Sequence, residues 1–169
     1  MSIQVHDEQK TDIQAIEEVI KAAFLNAEHT SHTEHLIVNS LRKSCQLTVS
    51  MLAVENEKIV GHIAISPVMI SSGETEWYGL GPISVLPEKQ GLGIGSLLMQ
   101  TALARLKQLG AQGCVVLGNP DYYSRFGFQA YPKLYLEGVP PEYFQALSFH
   151  RHIPQGQVVY HAAFNIKNE

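Results

Sequence analysis

Hydrophobic and polar positions change period several times along the chain. Residues 3–6 alternate weakly and read as a short first strand. Thr11-Asp12-Ile13-Gln14 has the form of a capping box, with a threonine at the cap and a glutamine three residues on. Behind it Ile13, Ile16, Ile20, Ala23 and Phe24 recur at helical spacing, so a helix is expected over residues 12–25. Ser31-His32-Thr33-Glu34 has the same form and should open a second helix, with Leu36, Ile37 and Leu41 turned inward. Residues 47–54 and 59–70 then read as two strands joined by the polar turn Glu55-Asn56-Glu57-Lys58, a hairpin.

A third long strand is expected over residues 77–86. It contains Gly79, Gly81 and Pro82, and a proline inside a strand implies a bulge or distorted pairing. Gln90-Gly91-Leu92-Gly93-Ile94-Gly95 leads from it into a long helix. Leu98, Ala102, the stem of Arg105, Leu106 and Leu109 mark that helix's inner face, and Gly110 is its stop. Residues 113–117 form a short apolar strand. Asn119-Pro120-Asp121 starts a short helix left through Phe126-Gly127-Phe128, and after the loop Val139-Pro140-Pro141 a last alternating strand spans residues 158–164. The reading is α/β in one domain over 1–169, with a core of about 3–131 and a tail, 132–169, that completes the sheet. One long helix joins the strand Ile83 to Leu86 to the strand Gly113 to Leu117, so the two should be parallel neighbours.

Composition narrows the function. A chain of 169 residues, 45% hydrophobic and 17% charged, is long enough for a real core and too apolar for disorder. The net charge of −4 lacks the basic excess of a nucleic-acid binder. Cys45 and Cys114 form no CxxC and no paired framework, which suits a reducing cytoplasm. The segment Met1 to Glu8 has no basic stretch leading into an apolar one, so no secretory leader is expected, and no apolar run approaches the ~20 residues of a membrane span.

The loop at Gln90 carries the chemistry. A helix N-terminus after a strand leaves backbone N–H groups unpaired, and glycines let a pyrophosphate approach them. A dinucleotide fingerprint from Gly91 would need a third glycine where Ser96 stands, and no Gly-Lys pair offers a P-loop. The spacing that fits is Gln-x-x-Gly-x-Gly after Ile83-Ser84-Val85-Leu86-Pro87. About thirty residues on, Tyr123 stands four before Gly127-Phe128.

Together, Gln90–Gly95, Gly79-Leu80-Gly81-Pro82 and the run from Gly118 to Phe128 resemble the GNAT family of N-acetyltransferases, and within it a bacterial subgroup of undefined substrate. The resemblance implies a central mixed, mostly antiparallel sheet flanked by helices, whose two parallel strands splay near Gly79–Pro82 and Asn119. It implies acetyl-CoA as co-substrate; no metal is expected. The cofactor-binding residues would be Ile83, Val85, Gln90, Gly91, Leu92, Gly93, Ile94, Gly95, Ser96, Asn119, Tyr122 and Arg125. It implies a direct transfer to an amine, with Tyr123 as general acid: a phenol near ~10 can protonate a departing thiolate near ~8.5. Tyr122 reads equally as aromatic core.

The family pattern is incomplete in one respect. Many members carry a glutamate on the strand before the loop or the strand after the long helix, and this chain has none on either. His62 is a candidate base, since a histidine can take a proton near neutrality, although a strand histidine also serves as a structural hydrogen-bonding residue. His29, His32 and His35 invite a metal reading, but no carboxylate–histidine pattern accompanies them; His150 and His152, expected on one strand face, are weighed the same way. Two functions stand side by side: an enzyme acting on a small-molecule or protein amine, and a non-catalytic acyl-CoA sensor with the same fold. No nucleic-acid or membrane partner is expected. An open edge at the C-terminal strand would support a homodimer.

Overall fold

The computed structural model describes residues 2–28 and 30–167. The first strand, β1 (Gln4–Asp7), pairs antiparallel with β2 (Val49–Glu55), which pairs with β3 (Lys58–Ile70). The β2–β3 turn places Asn56 and Glu57 at φ of 50° and 64°, the left-handed pair that matches strand twist in a tight hairpin. β3 pairs antiparallel with β4 (Trp77–Val85), and β4 runs parallel to β5 (Gly113–Leu117). The main path is β1-β2-β3-β4-β5-β7, where β7 is Phe144–Ser148; β8 (Gly156–Tyr160) pairs with the end of β3 and with β6 (Leu134–Tyr135). The sheet is thus mixed and mostly antiparallel, as expected.

Helices cover both faces. On one side, α1 (Ile13–Phe24) and α2 (Glu34–Lys43) bury Ile16, Ile20 and Val38 against Leu52 and Ala64. On the other, α3 (Ile94–Gln108) buries Leu98, Met99, Ala102 and Leu106 against Met51, Ile63 and Ile65. The short α4 (Pro120–Tyr123) follows β5.

β4 is where the sheet opens. Its parallel pairing with β5 runs from Trp77↔Gly113 to Leu80↔Val116 and stops there. Its register against β3 shifts between Ile63 and Ile65, opposite the cis Gly81–Pro82 bond. The proline and its neighbours lift β4 from β5, so the strands part as the sequence led us to expect.

Several local readings need correction. The cap before α1 is formed by Gln9 and Asp12, not Thr11 and Gln14: Asp12 Oδ2 accepts the Gln9 N–H at 2.9 Å, and a 3-10 turn (Lys10–Asp12) precedes the helix. In α2, Leu36 is exposed and Val38 takes the inner place. At the end of α3, Gly110 has φ 87° and the Ala111 N–H reaches Leu106 O at 3.2 Å; this Schellman turn leaves Leu109 outside and buries Ala111. Arg105 also points outward, with its guanidinium on Asp7 at 2.9 and 3.0 Å. The last strand ends at Tyr160, because His161 Nδ1 accepts the Ala163 N–H at 2.9 Å and caps a 3-10 turn (Ala162–Asn165) that contains Phe164. The C-terminal strand is not an open edge: β8 is paired with β3 and β6, and the path ends at β1 and β7. His150 and His152 share no strand face, since Ser148 Oγ accepts both of their backbone N–H groups and ends β7. His32 precedes α2 at φ 58° while His35 lies in its first turn; His29 is outside the described residues.

Candidate active site

The splay of β4 from β5 separates two concavities. The first is a cleft of about 380 Å³ along the glycine loop, lined by Ile83, Val85, Gln90, Gly91, Gly93 and Ile94, then by Gly95, Ser96, Tyr122 and Arg125. Gly91 and Gly93 have φ of 79° and 86°, and a Cβ on either would meet nothing within 4 Å, so both face open space. Leu97 N–H is the first in the helix to reach a carbonyl, Gly93 O at 3.1 Å; the amides before it in the first turn have no intrahelical partner. Gln90 braces the loop, its Nε2 donating to Val85 O at 3.1 Å. Arg125 lies across the groove mouth with Nη2 on Ser96 Oγ at 3.0 Å and its guanidinium over the Tyr122 ring at 5.1 Å. These features fit an elongated polyanion such as the diphosphate of acetyl-CoA.

Two expected residues do not line the cleft. Leu92 is exposed at the loop tip, and Asn119 is a helix cap whose Oδ1 accepts the Asp121 N–H at 2.9 Å. One lining residue was missed. Lys89 enters the cleft wall with Nζ on Glu55 Oε1 at 2.6 Å, and its place beside Gln90 was the signal that could have found it.

The second concavity, about 640 Å³, lies beyond the splay and holds Tyr123. Leu80, Gly81, Pro82 and Leu117 form its inner end, and Ile83 lines both spaces, so they meet at the point where β4 leaves β5. Consecutive tyrosines therefore serve opposite sides, Tyr122 the cleft and Tyr123 the cavity. The Tyr123 ring packs edge-on to Tyr122 at 5.0 Å and to Phe128 at 6.1 Å. Burial pushes its hydroxyl up to about 12, with Tyr122 adding to the effect, so it is a protonated donor at neutral pH.

Charge is divided between the two spaces. Among the described lining residues the cleft has Lys89 and Arg125 and no carboxylate, whereas the cavity has Glu34 and Glu137 and no Lys, Arg or His.

His62 is not brought to either space. It is fully buried, with Nε2 on Ser50 Oγ at 2.8 Å, and Ser50 donates onward to Glu8 Oε1 at 2.6 Å. Burial lowers its pKa to about 4, against the pull of Glu8 and with a further push from Arg42. Burial alone would raise Glu8, but hydrogen bonds from Arg42 and Ser50 and the Arg42 charge hold it below the usual carboxylate range.

Comparison with known proteins gives the family. Residues 13–128 match the acetyltransferase (GNAT) family. The uncharacterized N-acetyltransferase YhbS of Escherichia coli strain K12 is 33% identical over 108 residues, 63% of this chain; the chain thus spans 65% of that relative's length. A GNAT family acetyltransferase from Brucella melitensis, solved in complex with acetyl-CoA, is 45% identical and superposes with a TM-score of 0.87, covering 96% of this chain and 98% of that one. Escherichia coli YhbS, solved in complex with CoA, is 27% identical with a TM-score of 0.88, covering 97% and 92%. Among the described residues no helix is long and apolar enough to cross a membrane. With the matched family covering the splayed strands, the glycine loop and the Tyr123 segment together, this chain belongs to the acetyltransferase (GNAT) family.

Proposed function

We propose that the protein is an acetyl-CoA-dependent N-acetyltransferase whose acceptor amine reaches the thioester from the Tyr123 cavity. The observation that carries this reading is the charge division at the splay: an amide-lined cleft with Arg125 on one side, and on the other an acidic cavity whose wall carries the protonated phenol of Tyr123. The first-turn amides of α3 and Arg125 would hold the diphosphate, and Ile83 and Val85 would flank the pantetheine arm at the unpaired side of β4. That the Brucella relative, 45% identical, was solved in complex with acetyl-CoA supports acetyl-CoA as the co-substrate.

In the transfer, the neutral amine nitrogen bonds to the acetyl carbon and the carbon–sulfur bond breaks. The sulfur leaves with the bonding pair and takes the proton of the Tyr123 hydroxyl, and the extra proton shed by the nitrogen returns to the Tyr123 oxygen through solvent. Tyr123 suits this role because burial keeps its proton in place, so the hydroxyl is ready to hydrogen-bond to the sulfur and pass the proton as negative charge builds there. The acceptor enters by the opposite mouth, so both substrates are present at once and no acetylated protein residue is needed.

The test is amine-dependent release of free thiol from acetyl-CoA across a broad amine panel. Release that requires an amine supports the enzyme. Tight acetyl-CoA binding without release for any small or protein amine supports the acyl-CoA sensor instead.

A further inference from the structure

Nearly half of the acceptor cavity's lining comes from the chain beyond the family match, which ends at residue 128. Leu136, Val158, Tyr160 and Phe164 come from that tail, and Phe24, Ile37 and Leu80 face them from α1, α2 and β4. Its volume of about 640 Å³ lies within the ~300–1,000 Å³ of small-molecule sites, and its walls are mostly apolar. The tail ring of Tyr160 packs across Gly79, where a Cβ would come within 2.9 Å of its Cε2; its buried hydroxyl makes no hydrogen bond.

Two carboxylates complete the wall, one from α2 and one from the tail. Glu34, at the start of α2, is anchored through Oε2 by Thr30 Oγ1 at 2.6 Å and by the Ser31 N–H at 3.2 Å. Glu137, just after β6, takes the Gln157 Nε2 donor at 3.1 Å. No Lys, Arg or His stands among the described lining residues to receive an anion. Such a wall attracts an ammonium, and an acceptor carrying a carboxylate meets two like charges with no counter-ion.

Resting on the acetyltransferase reading, we propose that the acceptor class is an amine on an apolar body without a carboxylate, and that Glu137 helps select against acidic amines. Free amino acids and acidic peptides are thereby excluded. The apolar walls supply the affinity, and the carboxylates supply the discrimination.

The test uses three probes that share one reacting group: hexylamine, 6-aminohexanoate and 2-aminoethanol. Each is titrated calorimetrically into protein saturated with CoA, so that binding is read without turnover, and each is then assayed for thiol release from acetyl-CoA. Hexylamine is expected to bind at least about tenfold more tightly than either of the others. Glu137→Gln, at an exposed position, should leave the unfolding midpoint unchanged and narrow the gap between hexylamine and 6-aminohexanoate severalfold. Equal binding of hexylamine and 6-aminohexanoate, or of hexylamine and 2-aminoethanol, overturns the proposal, as does an unchanged gap in the folded variant. Failure of hexylamine to bind while another amine releases thiol overturns the acceptor class and leaves the acetyltransferase reading standing. Hexylamine binding with no thiol release from any amine does the reverse: it supports the cavity's selectivity and sinks the enzyme.

Discussion

Gly118 lies flat against the ring of Tyr123: a Cβ at position 118 would come within 2.5 Å of Tyr123 Cε2. Gln145 of β7 holds the Gly118 carbonyl at 3.2 Å, so the backbone cannot easily back away. The glycine at the end of β5 thus sets where the phenol stands.

Gly118→Ala should therefore displace the Tyr123 ring while leaving the diphosphate cleft intact. Misplacing a reacting group by about 1 Å can cost on the order of 10²-fold in rate. We expect a fall in kcat of up to that size with acetyl-CoA affinity close to wild type. Equal loss of affinity and turnover would show that residue 118 shapes the cleft rather than the phenol.

The glycine loop gives a separable prediction. Gly93 sits at φ 86°, a region that side chains rarely adopt, and a Cβ on Gly95 would come within 2.9 Å of the Tyr122 hydroxyl. Gly93→Val strains the loop, and Gly95→Val pushes Tyr122 across the cleft. Isothermal titration should show acetyl-CoA binding lost in both, with circular dichroism of the folded protein retained. Normal affinity in Gly93→Val would mean that the diphosphate binds elsewhere.

His62 predicts a pH dependence of stability rather than of activity. Its folded pKa is about 4, below the ordinary 6.5, so the unfolded chain takes up the proton first as pH falls. Stability is whole above about 6.5 and is lost as pH falls toward about 4, by up to about 3 kcal/mol from this group. Glu8, also held low, adds a loss at still lower pH as its carboxylate is neutralised within the Arg42 pair. The unfolding midpoint should drop between about pH 7 and about pH 4.5, and less steeply in His62→Gln. Equal slopes in the two proteins would contradict the neutral, buried state assigned to His62.

Much of this fold was legible because its elements carry long periodic patterns. The hairpin of β2 and β3, the proline bulge in β4 and the helix after the glycine loop were all readable from spacing and turn residues. β7 was missed because its five residues include buried Gln145, a polar side chain satisfied by Gly118 O, which hides the apolar alternation. Leu36 and Leu109 misled because each continues a helical stripe past the point where the neighbouring structure covers it. The cleft was legible because most of its wall is one contiguous motif. The cavity was not: Phe24, Leu80, Leu136 and Phe164 meet only in the folded chain, and no local pattern marks them. For the same reason nothing in the sequence showed that His62 faces Ser50 and Glu8 rather than the splay.

The central claim is that the Tyr123 hydroxyl gives its proton to the departing thiolate. Tyr123→Phe removes that oxygen and keeps the ring against Tyr122 and Phe128. The direct measurement is kcat for amine-dependent thiol release at saturating acetyl-CoA, in wild type, Tyr123→Phe and Tyr122→Phe. General acid–base assistance is commonly worth ~10²–10⁴-fold, so Tyr123→Phe should lose turnover in that range with acetyl-CoA affinity and unfolding midpoint near wild type. Tyr122→Phe, which changes the wall of the cleft, should lose far less in kcat. Undiminished turnover in Tyr123→Phe would contradict the account.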